Sequence, residues 1–430
     1  MKIYKSISLV FCLLLVSCSH APIPVQTATE NKTLLACPNT AGFRPDQSQP
    51  AGQANMKIPI EHILVIMQEN HSFDSYLGSL ALHSKNVNGI SPELFNLDKN
   101  QKRVPVYHET NLCVADVDHT WNGMHKSWNN GLNDQFVVLN DTRTMGYYTE
   151  KELPFYYELA KKFAISDTYF ASAMTQTNPN RYFLLAATAF GEVANVDPPN
   201  DDQYSQKTIF DTLTDHGISW TYYTDSPGYL QYFRPLVRRS LAHMKKMIDY
   251  QNDLKNGHLP QVAFIDAAWD VEDEHPAANI QLGQLWVAQR VTQLIHSQYW
   301  KNSALFLTYD ESGDYYDHVS PPAACKPDDI EPRLKPKHVP GSYDRYGFRV
   351  PFFAVSAYAK ENYVSHMIYD HTSILKFIET KFNLPALTRR DANANDLLDV
   401  FDFKHPPRKA VSLKMPVIES QTGCPVNPAQ

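Results

Sequence analysis

Short apolar runs that break off into clusters of acidic, amide and imidazole side chains are the strongest constraint on this fold. Ile63-Leu64-Val65-Ile66-Met67 is apolar throughout and is followed at once by Gln68-Glu69-Asn70-His71-Ser72-Phe73-Asp74. Residues 304–308 form a second run, ending in Tyr309-Asp310-Glu311-Ser312-Gly313-Asp314, with Tyr316-Asp317-His318 just beyond. A third, 262–265, leads to Asp266 and the dense set Asp270, Glu272, Asp273, Glu274 and His275, and 351–355 makes a fourth. Runs without polar alternation suit strands covered on both faces, so they predict a mostly parallel sheet in an α/β fold. The amphipathic stretch 282–296 is an expected covering helix. In such sheets ligands gather beyond the carboxyl ends of strands. One polar cluster alone is more often a solvated turn. Three strand ends that each bring a carboxylate with a histidine or amide favour a divalent-metal site.

Thr177-Asn178-Pro179-Asn180-Arg181 precedes the helix-forming run 182–187, with Asn178 expected as N-cap and Pro179 at the first helical position. Thr177 then lies just ahead of a helix N-terminus, where free N–H groups favour a phosphate. A cation beside its hydroxyl would make it a nucleophile. Taken alone, a cap-assisting threonine is the commoner role. Asp116, His119 and Trp121, then His125 and Trp128, lie in an Asn-rich stretch that can supply imidazoles. Lys and Arg are sparse near these clusters, which leaves a metal and imidazoles to neutralise a bound anion.

Lys2 and Lys5 followed by a short apolar run to Val16 read as a signal peptide over residues 1–18, too short to span a membrane. Leu15-Val16-Ser17-Cys18 resembles a bacterial lipobox, while Ser19-His20-Ala21 also fits ordinary cleavage. Export, as a cell-envelope lipoprotein or a freely secreted protein, is the expectation. Loss of Lys2 and Lys5 takes the net charge of −7 to −9. Residues 19–57 are a Pro-, Thr- and Gln-rich lead-in, 58–403 one catalytic domain, and 404–430 a tail. Cys37, Cys113, Cys325 and Cys424 remain beyond the signal region, with no C-x-x-C pair, so two disulfides of open pairing are expected. The 430 residues are 43% hydrophobic and 20% charged, which excludes wholesale disorder. With Lys+Arg at 39 against Asp+Glu at 46, the chain also lacks the basic footprint of a general nucleic-acid binder.

The run from Ile60 through Glu69-Asn70-His71-Ser72-Phe73-Asp74 to Gly78 resembles the opening motif of the bacterial phosphoesterase family. That family contains phosphatidylcholine-type phospholipases C and a respiratory-burst-inhibiting acid phosphatase. Further look-alike segments follow in order at 116–128, 177–182, 274–276, 308–322, 369–375, 390–391 and 401–403. The resemblance implies an alkaline-phosphatase-like, three-layer α/β/α sandwich. It also implies that Glu69, Asn70, Asp310 and Glu311 bind a metal together with the nucleophile Thr177, and that His119, His275 and His318 hold phosphoryl oxygens or protonate the leaving group. Asp310-Glu311 stands where some members have Asp-Asp, and Ser312-Gly313-Asp314 departs from the usual Gly-Gly or His-Gly, making Asp314 an extra carboxylate. Zinc is the expected ion, with calcium, iron and manganese left open by ligand type. Asn180 and Arg181, with Tyr222 and Tyr223 from an aromatic segment that can cage a quaternary ammonium, are the expected substrate-binding residues. Asp370 is expected to cap a helix.

The implied reaction is hydrolysis of phosphatidylcholine to diacylglycerol and phosphocholine through a phosphothreonine, with transient contact at a membrane surface. An acid phosphatase acting on phosphomonoesters is the alternative. A non-catalytic surface-binding lipoprotein is disfavoured, because every implied ligand and the nucleophile are present. Oligomeric state is left open.

Overall fold

Each apolar run forms the expected strand in the computed structural model, which describes residues 35–48, 57–198, 200, 204, 206–418 and 424. The signal-peptide reading, Cys18 and most of the lead-in lie outside the described residues. The central sheet has eight strands: β1 (His62–Gln68), β2 (Ala164–Ser166), β3 (Trp220–Thr224), β4 (Met244–Lys245), β5 (Val262–Asp266), β6 (Ser303–Tyr309), β7 (Phe352–Ser356) and β8 (Tyr363–Ser365). Their order is β8-β2-β7-β6-β1-β5-β3-β4. Only β7 runs against both of its neighbours, so the sheet is mostly parallel. β1 lies at the centre, with Ile63 level with Ala304 on β6 and Val262 on β5. Ile63, Leu64, Val65 and Ile66 are fully buried, each side chain contributing about 1.5–3 kcal/mol of hydrophobic stabilisation.

Helices cover both faces, as an apolar-on-both-sides strand requires. α3 (Thr177–Ala186) packs against α4 (Ile209–Asp215) and α7 (His371–Phe382), which also carries α8 (Arg389–Ala392). α6 (Ile280–Ile295) packs against α2 (Pro154–Lys162) and α5 (Met247–Asn256) in the opposite layer. α1 (Trp121–Trp128) stands over the strand ends, capped by the Thr120 hydroxyl on the Gly123 N–H. α6 falls where the sequence placed a helix, and Asp370 caps α7 in a capping box with Ser373. One local expectation is corrected. Gln176, not Asn178, is the N-cap of α3, so Thr177 is its first helical residue and Pro179 lies in the first turn, where a missing N–H is harmless.

Both ends of the described chain are tied down. Disulfides join Cys37 to Cys325 and Cys113 to Cys424. Gly42 donates to the Ala386 carbonyl and Arg44 to that of Asn383, which fastens part of the lead-in beside α7. In the tail, Trp300 Nε1 donates to the Arg408 carbonyl and Leu413 is buried. No helix among the described residues is long and apolar enough to cross a membrane.

Candidate active site

Because β1, β3, β5 and β6 are mutually parallel, their carboxyl ends open on one side, and the polar clusters converge there. Gln68 and Tyr309 sit side by side in register, so Glu69-Asn70 and Asp310-Glu311 leave the sheet together. The Asn70 N–H donates to Asp310 Oδ1 (3.1 Å), as does the Glu311 N–H (2.8 Å). Asn70 and Gly313 both adopt left-handed backbone, and a Cβ on Gly313 would lie 2.5 Å from the Asn70 carbonyl. Only glycine allows the two turns to meet this closely.

Glu69, Asp310 and Glu311 are buried, and burial pushes the pKa of each upward. The cation that faces Glu69 and Asp310 is Arg181, which sits on α3 at a four-residue spacing from Thr177. Its Nη2 donates to Glu69 Oε1 (3.1 Å) and its Nη1 to Asp266 Oδ1 (3.4 Å), while Nε lies 3.9 Å from Asp310 Oδ2. The guanidinium also stacks on the Tyr229 ring at 3.9 Å, and the Tyr229 hydroxyl donates to Glu69. An i, i+4 spacing places Thr177 on the same helix face as Arg181, and Thr177 is itself buried. The scarcity of basic residues near the clusters is therefore corrected: Arg181 is delivered by a helix to Glu69, Asp266 and Asp310, and Arg349 reaches Asp74 and Asp317, each from a distant part of the sequence.

The imidazoles approach from the other flank. His119 Nδ1 donates to the Val117 carbonyl (2.9 Å) and lies 3.2 Å from Asp116 Oδ1, while its Nε2 is 3.9 Å from Glu311 Oε1. Burial works against its charge, but Glu311 and Asp116 outweigh that and push its pKa up to about 10. The His275 ring lies 5.9 Å from that of His119, and ligand atoms of Asp116, His119 and His275 fall within 4.8 Å of one another. His371, the first residue of α7, donates from Nε2 to the Asp310 carbonyl (2.7 Å), and burial lowers its pKa to about 3. It is a neutral prop beneath the Asp310 turn.

The donor set fits a cation. Asp310 Oδ2 is buried without a hydrogen-bond partner. The Asn70 amide oxygen faces the carboxylate oxygens of Asp310 and Glu311, acceptor against acceptor, while its nitrogen faces His275. That contact is relieved in two ways. The amide turns over, to donate at 3.2 and 3.0 Å, or a cation sits among the oxygens. Carboxylate and amide oxygens beside imidazole suit a divalent ion.

Four expected residues are placed elsewhere. His318 bonds through Nδ1 to Asp74 (2.6 Å), beside Arg349 and Asp317, in a separate cluster where the guanidinium already neutralises the acids. Asn180 turns inward to the Ala173, Thr175 and Gln176 carbonyls, bracing the turn that leads into Thr177. Tyr222 donates to Asp266 and so supports the carboxylate that faces Arg181. Tyr223 points to the opposite side of β3 and donates to Asp253 (2.6 Å), as strand alternation demands. Asp314 is also buried and bonds Ser127 (2.7 Å) and Asn140 (2.8 Å). Asp266 is legible in the sequence as a strand-end acid, whereas the contacts of Tyr229 with Glu69 and of His371 with the Asp310 carbonyl arise only in the tertiary structure.

The profile of the Phosphoesterase family matches residues 60–385, and the chain belongs to that family. Phospholipase C B of Mycobacterium tuberculosis is 31% identical over 412 residues, spanning 81% of this chain and 78% of its own. Non-specific phospholipase C1 of Arabidopsis thaliana is 31% identical over 406 residues, with 84% and 74% covered. A solved alkaline phosphatase superfamily protein from Vibrio parahaemolyticus superposes at TM-score 0.41 with 10% identity, covering 85% of this chain and 74% of that one. This protein is a hydrolase acting on phosphoester bonds.

Proposed function

We propose that the chain is an exported, metal-dependent phospholipase C that cleaves phosphatidylcholine-type lipids to diacylglycerol and a phosphorylated headgroup, with Thr177 as nucleophile. The observation that carries this reading is Thr177 on the same helix face as Arg181, whose guanidinium reaches the buried carboxylates of Glu69 and Asp310. Glu69, Asn70, Asp310 and Glu311 with Thr177 would hold the ion, zinc by preference. When bound, a divalent cation supplies Lewis-acid charge that favours an ionised hydroxyl and an anionic phosphoryl group. Thr177 loses its hydroxyl proton to solvent, its Oγ1 attacks phosphorus in line, and the bond to the glyceryl oxygen breaks. The charged His119 imidazole, or His275 beside it, donates the proton that diacylglycerol needs to leave. Water then attacks the threonine ester, releasing phosphocholine and restoring the hydroxyl. Arg181 holds Glu69 and Asp310 in place, and positioning with charge stabilisation does most of the catalytic work.

Export is supported by the two disulfides, which persist in oxidising compartments, and by the N-terminal signal pattern. Membrane contact is supported by two exposed valines flanking the site. Val271 lies in the loop that carries His275, and Val196 follows Asn195, whose side chain accepts the Asn178 N–H beside Thr177.

The test is hydrolysis by purified protein of phosphatidylcholine vesicles and of a soluble aryl phosphate, each with and without chelator. Diacylglycerol and phosphocholine production that the chelator abolishes and zinc restores is the expected outcome. Hydrolysis of the aryl phosphate alone would mark an acid phosphatase instead, and hydrolysis of neither would overturn the reading.

A further inference from the structure

Glu274 is fully buried next to His275, and its side chain is taken up by residues outside the proposed ligand set. Four donors surround its carboxylate. Tyr309 Oη (2.8 Å) and Tyr76 Oη (2.9 Å) donate to Oε2, while Tyr156 Oη and Gln68 Nε2 (3.3 Å) donate to Oε1. Gln68 and Tyr309 are the last residues of β1 and β6, each directly ahead of a candidate ligand, Glu69 or Asp310. Side chains alternate across a strand, so residues tied to Glu274 on one face leave their successors aimed at the other. The same loop is held twice more, by the Glu69 N–H donating to the Asp273 carbonyl (2.8 Å) and by His71 Nε2 donating to the Glu274 carbonyl (3.1 Å). Gly283 on α6 makes room for this side chain, since a Cβ there would lie 2.2 Å from Glu274 Cγ.

We infer that Glu274 is a positioning residue: its tyrosine-clamped carboxylate locks together the ends of β1 and β6, which present Glu69 and Asp310, and the loop that presents His275. The inference rests on the reading of those three as active-site residues. Carboxylate–hydroxyl bonds without water or a mobile loop between them set side-chain positions tightly, which is what a site needs from its supporting residues. The cluster touches no substrate and acts only through its neighbours in sequence.

The experiment compares Y309F, Y76F, E274Q and E274A in the full chain, with fold checked by near-UV circular dichroism. Two functional readouts are used: the kcat–KM split on a phosphoester, and the His275 resonance in protein carrying isotope-labelled histidine, assigned with H275Q. Expected for Y309F and E274A is a kcat lowered about 10–100-fold with KM within about twofold, and a displaced His275 resonance. E274Q, which keeps the shape and part of the bonding, should recover most of the loss. If E274A does not fold, Y309F and Y76F decide the matter. Folded variants with lower melting temperatures but unchanged kcat and an unmoved His275 resonance would overturn the inference. If the unmodified protein hydrolyses no phosphoester, the functional reading fails, while the imidazole resonance still tests the clamp.

Discussion

At the scale of single residues the site is a problem of charge. Arg181 offsets Glu69, Asp266 and Asp310, and all four side chains are buried. Removing one partner of such a network strands the others, at about 3–5 kcal/mol. Arg181→Met should therefore lower unfolding stability in urea by that amount, and a loss below about 1 kcal/mol would contradict the network. His318 gives a pH test away from the active centre. Burial disfavours its charge, but Asp74 outweighs this and holds its pKa above the ordinary 6.5. A raised pKa adds stability that is fully present below the unfolded value and is lost as pH rises through the folded one. The stability gap between the native protein and His318→Gln should be widest near pH 5–6 and shrink towards pH 9, as read from urea melts; a gap that widens with pH would be the wrong sign. The strand-end pattern marks the polar clusters in which Glu69 and Asp310 directly follow a strand, and the family resemblance singles out Glu69, Asn70, Asp310 and Glu311 within them. Arg181, expected at the substrate, pairs with the acids, since nothing local reveals which face of α3 meets which strand end.

Elements show why strand ends were easier to read than the pieces that brace them. β1, β5, β6 and β7 fall within a residue or two of the apolar runs, because burial on both faces leaves no polar alternation to confuse the pattern. β2, β4 and β8 are two or three residues long and had no such signal. The turn after β6 depends on a glycine whose necessity appears only in three dimensions. At Gly313, φ is +63° and a Cβ would collide with the Asn70 carbonyl, whereas Gly217 at φ +68° has open space around it. Gly313→Ala should cost about 1–3 kcal/mol and depress turnover, while Gly217→Ala costs about 1 kcal/mol and leaves turnover alone. Thermal unfolding with steady-state kinetics separates the two. Equal effects would show that the Asn70–Gly313 contact is not what holds the turn.

Over the whole molecule, the lead-in and tail expected from composition are partly built into the body. Cys37–Cys325 closes a span of 288 residues, and Cys113–Cys424 one of 311. Reduction should lower stability by about 2–5 kcal/mol through the freedom returned to the unfolded chain, so matched unfolding curves with and without reductant check this directly. The proposed membrane contact can be tested at the exposed Val271. Val271→Asp should slow hydrolysis of vesicles while sparing a soluble phosphodiester, and equal slowing of both would rule out a membrane contact at Val271. The most direct test of the account is chemical. Purified protein mixed with phosphatidylcholine and quenched in acid within milliseconds should yield, by mass spectrometry, a peptide containing Thr177 that carries a phosphocholine group. A label on any other residue, or no label while Thr177→Ala still turns over at the native rate, would contradict the central claim.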